Sequence, residues 1–425
     1  GEHRKDRTAG KRRQVRILFL SHRLPFPPNK GDKIRSFHEI QHLSERHQIH
    51  LLAFPDPGES GEPENGLREY CSAVEVFPLN RQLARLRSIA GALGAEPLTL
   101  AYFRSSTFAR RVEELVESES FDVVLVCGSA MAQYAERAVG LPKLLDMVDV
   151  DSVKWEQYSQ YASWPRNLIW RLEAKRLSRY ESSLAKTFDR IVLTTEKEAE
   201  IFASIAGGTQ ASVVRMGIDP NEAAKVSIPK ADAPTLIFTG QMDYFANVDG
   251  IVHFTNETLP LLRLKFPDLR FLIVGRSPSR EILGLGTLPG VTVTGEVDDV
   301  RPYLAQSWIF VAPLRIAQGV QTKVLQAMAM GLPVVASHRV MTGLSDGGFC
   351  DGRDLLVGSD SRQTAIHIER LLENETMRIE LADNARSRLT DAYSWADNTR
   401  ILEKHLEDLV RPDQAESHTL DNTTN

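Results

Sequence analysis

Two successive runs of short apolar segments, each segment followed by a helix-forming stretch, constrain this chain more than any other feature. The first run takes in Val15-Arg-Ile-Leu-Phe-Leu20, Ile49 to Phe54, Val74 to Leu79, Val123 to Cys127, Lys143 to Val148 and Arg190 to Thr194. The second restarts at Thr235-Leu-Ile-Phe-Thr-Gly240. It continues through Arg270-Phe-Leu-Ile-Val-Gly275, Val291 to Thr294, Ile309 to Ala312 and Pro333-Val-Val-Ala-Ser337. Short unbroken apolar runs suit strands buried on both faces, and strand–helix alternation means a parallel sheet covered by helices. The chain therefore reads as α/β, two Rossmann-like units in series, with Arg190 to Thr194 as the last strand of the first. The Pro-, Ala-, Asp- and Lys-rich stretch from Pro220 to Pro234 marks the boundary. The helix after the first strand is expected to be N-capped by Asp32 and to run to about Arg46, with Ile34, Phe37, Ile40 and Leu43 inward. In the second unit, helices are expected from Asn247 to about Leu264 and from Lys323 to Met330.

Composition narrows the function classes. The 425 residues carry a net charge of -5, so no global basic field draws in nucleic acid. Three cysteines, Cys71, Cys127 and Cys350, lie far apart and in no CxxC pair. That argues against a zinc site or a disulfide framework and fits a reducing, cytoplasmic compartment. No stretch approaches the roughly 18 apolar residues of a membrane span. Residues 1–14 read as a disordered basic arm and residues 413–425 as a disordered tail.

The most informative segment runs from Ala312 through Pro-Leu-Arg-Ile-Ala-Gln-Gly-Val-Gln-Thr-Lys-Val-Leu-Gln-Ala-Met-Ala-Met-Gly-Leu-Pro-Val-Val-Ala to Ser337. A strand ends at Pro313, and a loop containing Gly319 leads into a helix. Free N–H groups at a helix start, reinforced by the dipole, make an anion site. Lys323 in the first turn adds a positive charge, Arg315 adds another, and Gly319 admits a phosphate to the backbone. The competing reading is an ordinary packing unit with Lys323 solvated.

At this segment the chain resembles the donor-site signature of retaining glycosyltransferases of family 4. Three further stretches narrow the resemblance: Gly240 to Asp249, Val293 to Tyr303, and Asp146 to Trp155. Together they are similar to the sugar transferases of PEP-CTERM (exosortase-associated) exopolysaccharide systems, over about Arg16 to Leu409. The resemblance implies a GT-B fold, with parallel sheets facing an interdomain cleft. An acceptor domain would occupy 15–222 and a nucleotide-sugar donor domain 233–390, with a C-terminal helix, 391–412, crossing back to the first domain.

What the resemblance implies about chemistry is specific. A UDP- or GDP-sugar is the donor substrate, with no cofactor and no metal; a glycan or lipid-linked hydroxyl is the acceptor. The donor contacts would be Gly31, Gly240, Gly275, Arg276, Gly319, Val320, Gln321, Thr322, Lys323 and Gln326. Lys323, Arg315, Gln318 and Asp149 would serve the transfer itself. In such enzymes no protein carboxylate forms a sugar adduct, unlike retaining glycosidases. The leaving diphosphate helps take the proton of the incoming hydroxyl, and the protein positions and stabilises charge. The wider family carries two glutamates at the positions of Gln318 and Gln326. Glutamine still bonds sugar and ribose hydroxyls but supplies no negative charge. A glutamine-adapted enzyme, a catalytically weak binding protein and a sugar-nucleotide epimerase are therefore all open readings. Gln241 and Ala246 stand where that family often places Arg and Lys, which shifts diphosphate contact onto Lys323 and Arg315.

Several features carry two readings each. His22 and Lys30, in the Pro-rich loop before Gly31, would touch a ligand or simply form a surface turn. Asp149-Val-Asp151 resembles a DxD metal motif, discounted in this fold context; acceptor binding or helix capping by Asp151 or Ser152 are the alternatives. Asp298, Asp299 and Arg301 read as a helix-start cap, and Trp395 as a packing residue of the last helix. Two basic stretches, Arg81 to Ala92 and Trp164 to Arg190, would lie peripherally on the inner membrane surface or be solvated helix faces.

Overall fold

The computed structural model describes residues 14–56, 63–80, 82–84, 87, 94–221 and 226–411. Two parallel sheets account for the two apolar runs. The first holds β1 (Arg16–Ser21), β2 (Gln48–Ala53), β3 (Ala73–Val76), β4 (Val123–Cys127), β5 (Lys143–Val148), β6 (Arg190–Leu193) and β7 (Ser212–Val213), in the order β3-β2-β1-β4-β5-β6-β7. The second holds β8 (Thr235–Thr239), β9 (Arg270–Val274), β10 (Val291–Gly295), β11 (Ile309–Ala312), β12 (Val334–Ser337) and β13 (Leu356–Gly358), in the order β10-β9-β8-β11-β12-β13. Strand order reverses between β1 and β4 in one sheet and between β8 and β11 in the other. In open parallel sheets, ligands bind outside the carboxyl ends of the strands at such a reversal. The loops that matter are therefore those after β1, β8 and β11.

Four expectations need correction. The last strand of the first unit is β7, not Arg190 to Thr194; two residues paired with β6 carry too little pattern to be read. Nor did the apolar runs disclose β13, which spans three residues. The helix Gly31–Ser44 is preceded by Lys30 with no side-chain cap; Asp32 lies inside the first turn and bonds His22 and Arg23 instead. Likewise Val150, not Asp151 or Ser152, precedes the helix Asp151–Tyr161, and neither side chain caps it. Asp299, by contrast, does accept the Arg301 backbone N–H at 2.9 Å. The arm and tail readings fall on residues outside those described. So does the stretch 81–92, apart from 82–84 and 87.

The inner face of the helix Gly31–Ser44 is charged as well as apolar. Beside Ile40 and Leu43 it buries Lys33, Arg35 and Glu39. Burying ions without partners is costly, and here Arg35 forks onto Asp146 at 2.6 and 3.1 Å and donates to the Val214 carbonyl at 2.8 Å. Burial, then the Asp146 charge, holds the Glu39 carboxyl well above the ordinary range. The helix Trp395–Val410 packs on this first unit. Leu402 and Leu406 join its core, Arg46 pairs with Glu403 and Glu407, and His47 faces Glu403 at 3.0 Å. Trp395 lies against Gly217, where a Cβ would come within 2.2 Å of the indole, and stacks on His38 at 4.4 Å.

Candidate active site

Two helix starts face each other where the sheets meet. A Cβ added to Gly31, the first residue of the helix Gly31–Ser44, would stand 3.7 Å from Thr322 Oγ1, the first residue of the helix Thr322–Ala329. No side chain caps either end, since Lys30 and Gln321 make no cap bond. Two N-terminal dipoles thus converge on one spot; Asp32 answers part of the first from inside its turn, while the first turn at Thr322 holds no acidic side chain.

One cation, Lys323, stands in the first turn at Thr322, and a second, Arg276, follows β9. Lys323 Nζ donates to Asn247 Oδ1 at 2.6 Å and sits 5.0 Å from the Phe238 ring centre. Burial alone pushes its pKa down to about 7. Asn247 also donates to the Gln241 carbonyl at 2.8 Å, so it ties Lys323 to the loop after β8. A Cβ on Gly240 would lie 3.6 Å from Lys323 Nζ. Gly240 and Gly275 have to be glycine for another reason. With φ of +154° and +152°, they let the ends of β8 and β9 pass so closely that a Cβ on Gly275 would fall 1.7 Å from the Gly240 carbonyl oxygen. Arg276 follows immediately, with Nη2 buried and unbonded. Burial lowers its pKa, the Glu296 charge opposes that fall, and repulsion from Arg23 adds to it.

The other expected cation is engaged. Arg315 is forked onto Asp249, at 2.9 Å through Nε, and its guanidinium lies 5.0 Å from the Tyr161 ring centre. His22 and Lys30 are also paired, with Asp32 at 2.9 Å and Asp56 at 2.6 Å. Gln326 stands half-buried one turn into its helix. Gln321 Nε2 donates to the Gln318 carbonyl at 2.9 Å, steadying the loop that contains Val320.

The Gly319 turn meets the first unit directly. Gly319 has φ of +56°, and a Cβ there would lie 2.0 Å from Asp149 Oδ1. Asp149 reaches this place through a strained backbone. Val148 has φ of +67°, and Asp149 N–H bonds the Met147 carbonyl at 2.9 Å, a tight γ-turn centred on a β-branched residue. Such strain persists only where its surroundings enforce it, and it clusters at functional sites. Burial raises the Asp149 carboxyl above its usual range, the Lys154 charge opposes that rise, and the Asp151 charge adds to it. Asp151 itself accepts from Ser129 Oγ at 2.8 Å and from Lys154.

Three side chains at this junction, Gln157, Glu181 and Glu198, carry no clear functional signal in the sequence. Gln318 donates across the cleft to Glu198, and Gln157 Nε2 donates to Gln318 Oε1 at 2.6 Å. Glu181 accepts from the Ser152 backbone and hydroxyl. Burial is the first cause of raised pKa values at both Glu181 and Glu198. The only sequence signal at Glu198 is Thr195-x-x-Glu198, which reads as a capping box. Thr195 does cap, accepting from Glu198 N at 3.0 Å, but the Glu198 carboxylate turns to Val150 and Gln318 instead. An aromatic contact closes the cleft rim: Tyr158 lies 5.4 Å and Trp170 5.0 Å from the Phe245 ring.

Comparison with known proteins bears on the family and the fold. Residues 233–374 match the family described as Glycosyl transferases group 1. An uncharacterized glycosyltransferase of Haemophilus influenzae is 22% identical over 291 residues, 66% of this chain and 75% of that protein. A phosphatidyl-myo-inositol mannosyltransferase of Propionibacterium freudenreichii is 28% identical over 141 residues, 32% of this chain and only 35% of that protein. Among solved structures, Anabaena HepE in complex with UDP and glucose superposes with a TM-score of 0.66 at 15% identity, covering 93% of this chain and 100% of that one. Sucrose-phosphate synthase from Thermosynechococcus elongatus gives 0.68 at 16% identity, covering 93% and 99%. These structures share the fold, two Rossmann-like domains of GT-B type. Residues 233–374, which hold β8 to β13, match the group 1 glycosyl transferases, and the chain as a whole shares the GT-B fold of these structures, a combination that supports a sugar transferase.

Proposed function

We propose that this protein moves a sugar from a nucleoside diphosphate sugar to a hydroxyl of a polysaccharide or lipid-linked glycan, with retention of configuration, in exopolysaccharide biosynthesis. One observation carries the reading. Two helix starts without side-chain caps, at Gly31 and Thr322, face each other beside Lys323, a buried cation with no carboxylate bound to it among the described residues, and Arg276 follows the Gly275 crossing nearby in the chain. That arrangement suits a pyrophosphate. UDP in the HepE structure belongs to a protein of the same fold and supports the same class of ligand.

In the reaction, the acceptor oxygen forms its bond to the anomeric carbon as the bond to the β-phosphate oxygen breaks. The electron pair leaves with the diphosphate, which also receives the hydroxyl proton. Lys323, Arg276 and the N–H groups after Gly319 stabilise the departing charge. Gln326 holds ribose, and Gln318 and Asp149 bound the sugar side of the crevice. Arg315 acts indirectly, holding Asp249 and Tyr161 at the rim. Closure of the cleft excludes water.

Thermal shift with UDP-, GDP- and ADP-sugars tests this, with Lys323→Ala as the control. A ligand present at a hundredfold its Kd adds about 2.7 kcal/mol of stability. The wild type should gain melting temperature with one nucleotide sugar and the variant should not. A wild type unmoved by all of them refutes the reading.

The acceptor side includes a membrane-facing surface. No helix among the described residues is long and apolar enough to cross a membrane. The helix Arg166–Leu184 nonetheless exposes Leu168, Ile169 and Leu172 beside Arg166, Arg171, Lys175 and Arg179, with Trp164 just before it at 76% exposure. An apolar strip flanked by cations suits an anionic lipid surface. Cosedimentation with phosphatidylglycerol vesicles should be lost in Trp164→Glu/Leu168→Glu; undiminished binding by that variant rejects the surface.

A further inference from the structure

We propose that Glu198 is a positioning residue for the transfer, holding Gln318 and the Gly319 turn closed against the first unit as one half of a complementary carboxylate–amide pair. The proposal rests on the sugar-transfer reading for its purpose, but its geometry stands without a ligand. Glu198 is 2% exposed. Its Oε1 accepts from Gln318 Nε2, and its Oε2 accepts from Val150 N at 2.6 Å. Val150 directly follows Asp149, and Gln318 directly precedes Gly319. One carboxylate therefore grips both sides of a close approach between the units, where Asp149 Oδ1 meets Gly319.

The direction of these bonds makes the pairing specific. An ionised carboxylate only accepts, so it turns the Gln318 amide nitrogen toward itself and the Gln318 oxygen toward Gln157 Nε2 at 2.6 Å. Where Glu198 is ionised, a carboxylate at position 318 would instead confront it with no proton between them. Gln318 is then the complement of Glu198, and a glutamate there is a loss rather than a restoration. Exchanging the two groups keeps every bond. The amide placed at 198 accepts from Val150 N through its oxygen and donates through its nitrogen to the carboxylate placed at 318, which also accepts from Gln157.

The charged surroundings set the pH at which this shows. Asp149 at the end of β5 and Glu181 on the helix Arg166–Leu184 both raise the Glu198 carboxyl, after burial as the first cause. Lys154 acts on Asp149, Asp151 and Glu181 from the helix Asp151–Tyr161. Lys197 and Arg339 line the adjoining cavity of about 150 Å³ between the units. A carboxyl so raised is protonated at pH 6, where it can donate to a facing carboxylate, and ionised at pH 9.

The test uses four full-length proteins without ligand: wild type, Glu198→Gln, Gln318→Glu and the double exchange. Gln318→Glu should melt about 4–8 °C below wild type at pH 9 and lose under half of that at pH 6. Glu198→Gln should stay within about 2 °C, because the amides can reverse in concert, and the double exchange should return to within about 2 °C of wild type. If Gln318→Glu alone does not fold, recovery of a folded protein in the double exchange supports the pairing equally. A Gln318→Glu as stable as wild type at pH 9, a deficit equal at both pH values, or a double exchange no better than the single overturns the proposal. No nucleotide is present, so such a failure leaves donor binding to its own thermal-shift test.

Discussion

Lys323 should take up a proton when the protein binds UDP, and the size of that uptake follows from its surroundings. In the free protein its ammonium has one hydrogen-bond partner among the described residues, the neutral Asn247 oxygen, and burial holds its pKa at about 7 rather than 10.5. A diphosphate beside Nζ restores the charged form. At pH 8 a group of pKa 7 is about one-tenth protonated, so binding should draw in about 0.9 proton, against about 0.1 at pH 6. Affinity should correspondingly fall about tenfold per pH unit above 7, because one pKa unit is 1.36 kcal/mol of differential interaction. The terminal phosphate of UDP ionises near pH 6 and contributes little at pH 8. Isothermal titration at pH 8 in phosphate and in Tris buffer, whose ionisation enthalpies differ, reads the uptake directly. Lys323→Met should abolish it. The stability sign is fixed by the same shift. Between pH 7 and 10.5 the unfolded chain binds the extra proton, so the Lys323 contribution to stability rises with pH through that window, and the wild-type profile minus that of Lys323→Met should rise accordingly. Uptake below about 0.2 proton at pH 8, with UDP bound, would refute the placement of Lys323 against the diphosphate.

Two further perturbations separate the parts of the site. Gly319→Ala should cost about 1–3 kcal/mol in urea unfolding, from the positive φ and the 2.0 Å approach to Asp149 Oδ1, and Asp149→Ala should recover part of it; simple additivity of the two would deny the contact. Arg276→Ala should weaken UDP binding about tenfold at little cost in melting temperature, since its Nη2 has no protein partner among the described residues, whereas Arg315→Ala should lower stability more and affinity less, because that guanidinium is held by Asp249; the reverse ranking in titration would exchange their roles.

The fold was legible because its signal is periodic and local. Each strand of the two switch regions, β1, β4, β8 and β11, is an apolar run long enough to read alone, and the glycines closing β8 and β9 mark the tight crossing that Gly240 and Gly275 make. Legibility failed where pairing, not pattern, makes the strand. Ser212–Val213 and Leu356–Gly358 are strands only because β6 and β12 offer them an edge. The charged inner face of the helix Gly31–Ser44 was hidden for a similar reason. Lys33, Arg35 and Glu39 look like a solvated face until Asp146, more than a hundred residues on, supplies the partner that lets Arg35 be buried.

The site divides along the same line. Gly319, Thr322 and Lys323 sit in one contiguous stretch, and elementary helix electrostatics marks them as candidates without coordinates. Their counterparts on the first unit do not share a stretch with them, and each has a competing local role. Glu198 reads as a capping-box residue, Val148 as an ordinary strand end, and Gln157 as a helix surface. Only the closed arrangement shows that Val148 is strained to φ of +67° to aim Asp149, and that Glu198 bonds both Val150 N and Gln318. Position 318 shows the consequence. Along the chain, its glutamine is a charge lost from the donor loop. Across the cleft, a carboxylate 120 residues away in the chain is hydrogen-bonded to that same glutamine. In a cleft assembled from two folded halves the role of position 318 is set by a partner on the other half, and single-position reading does not see that partner.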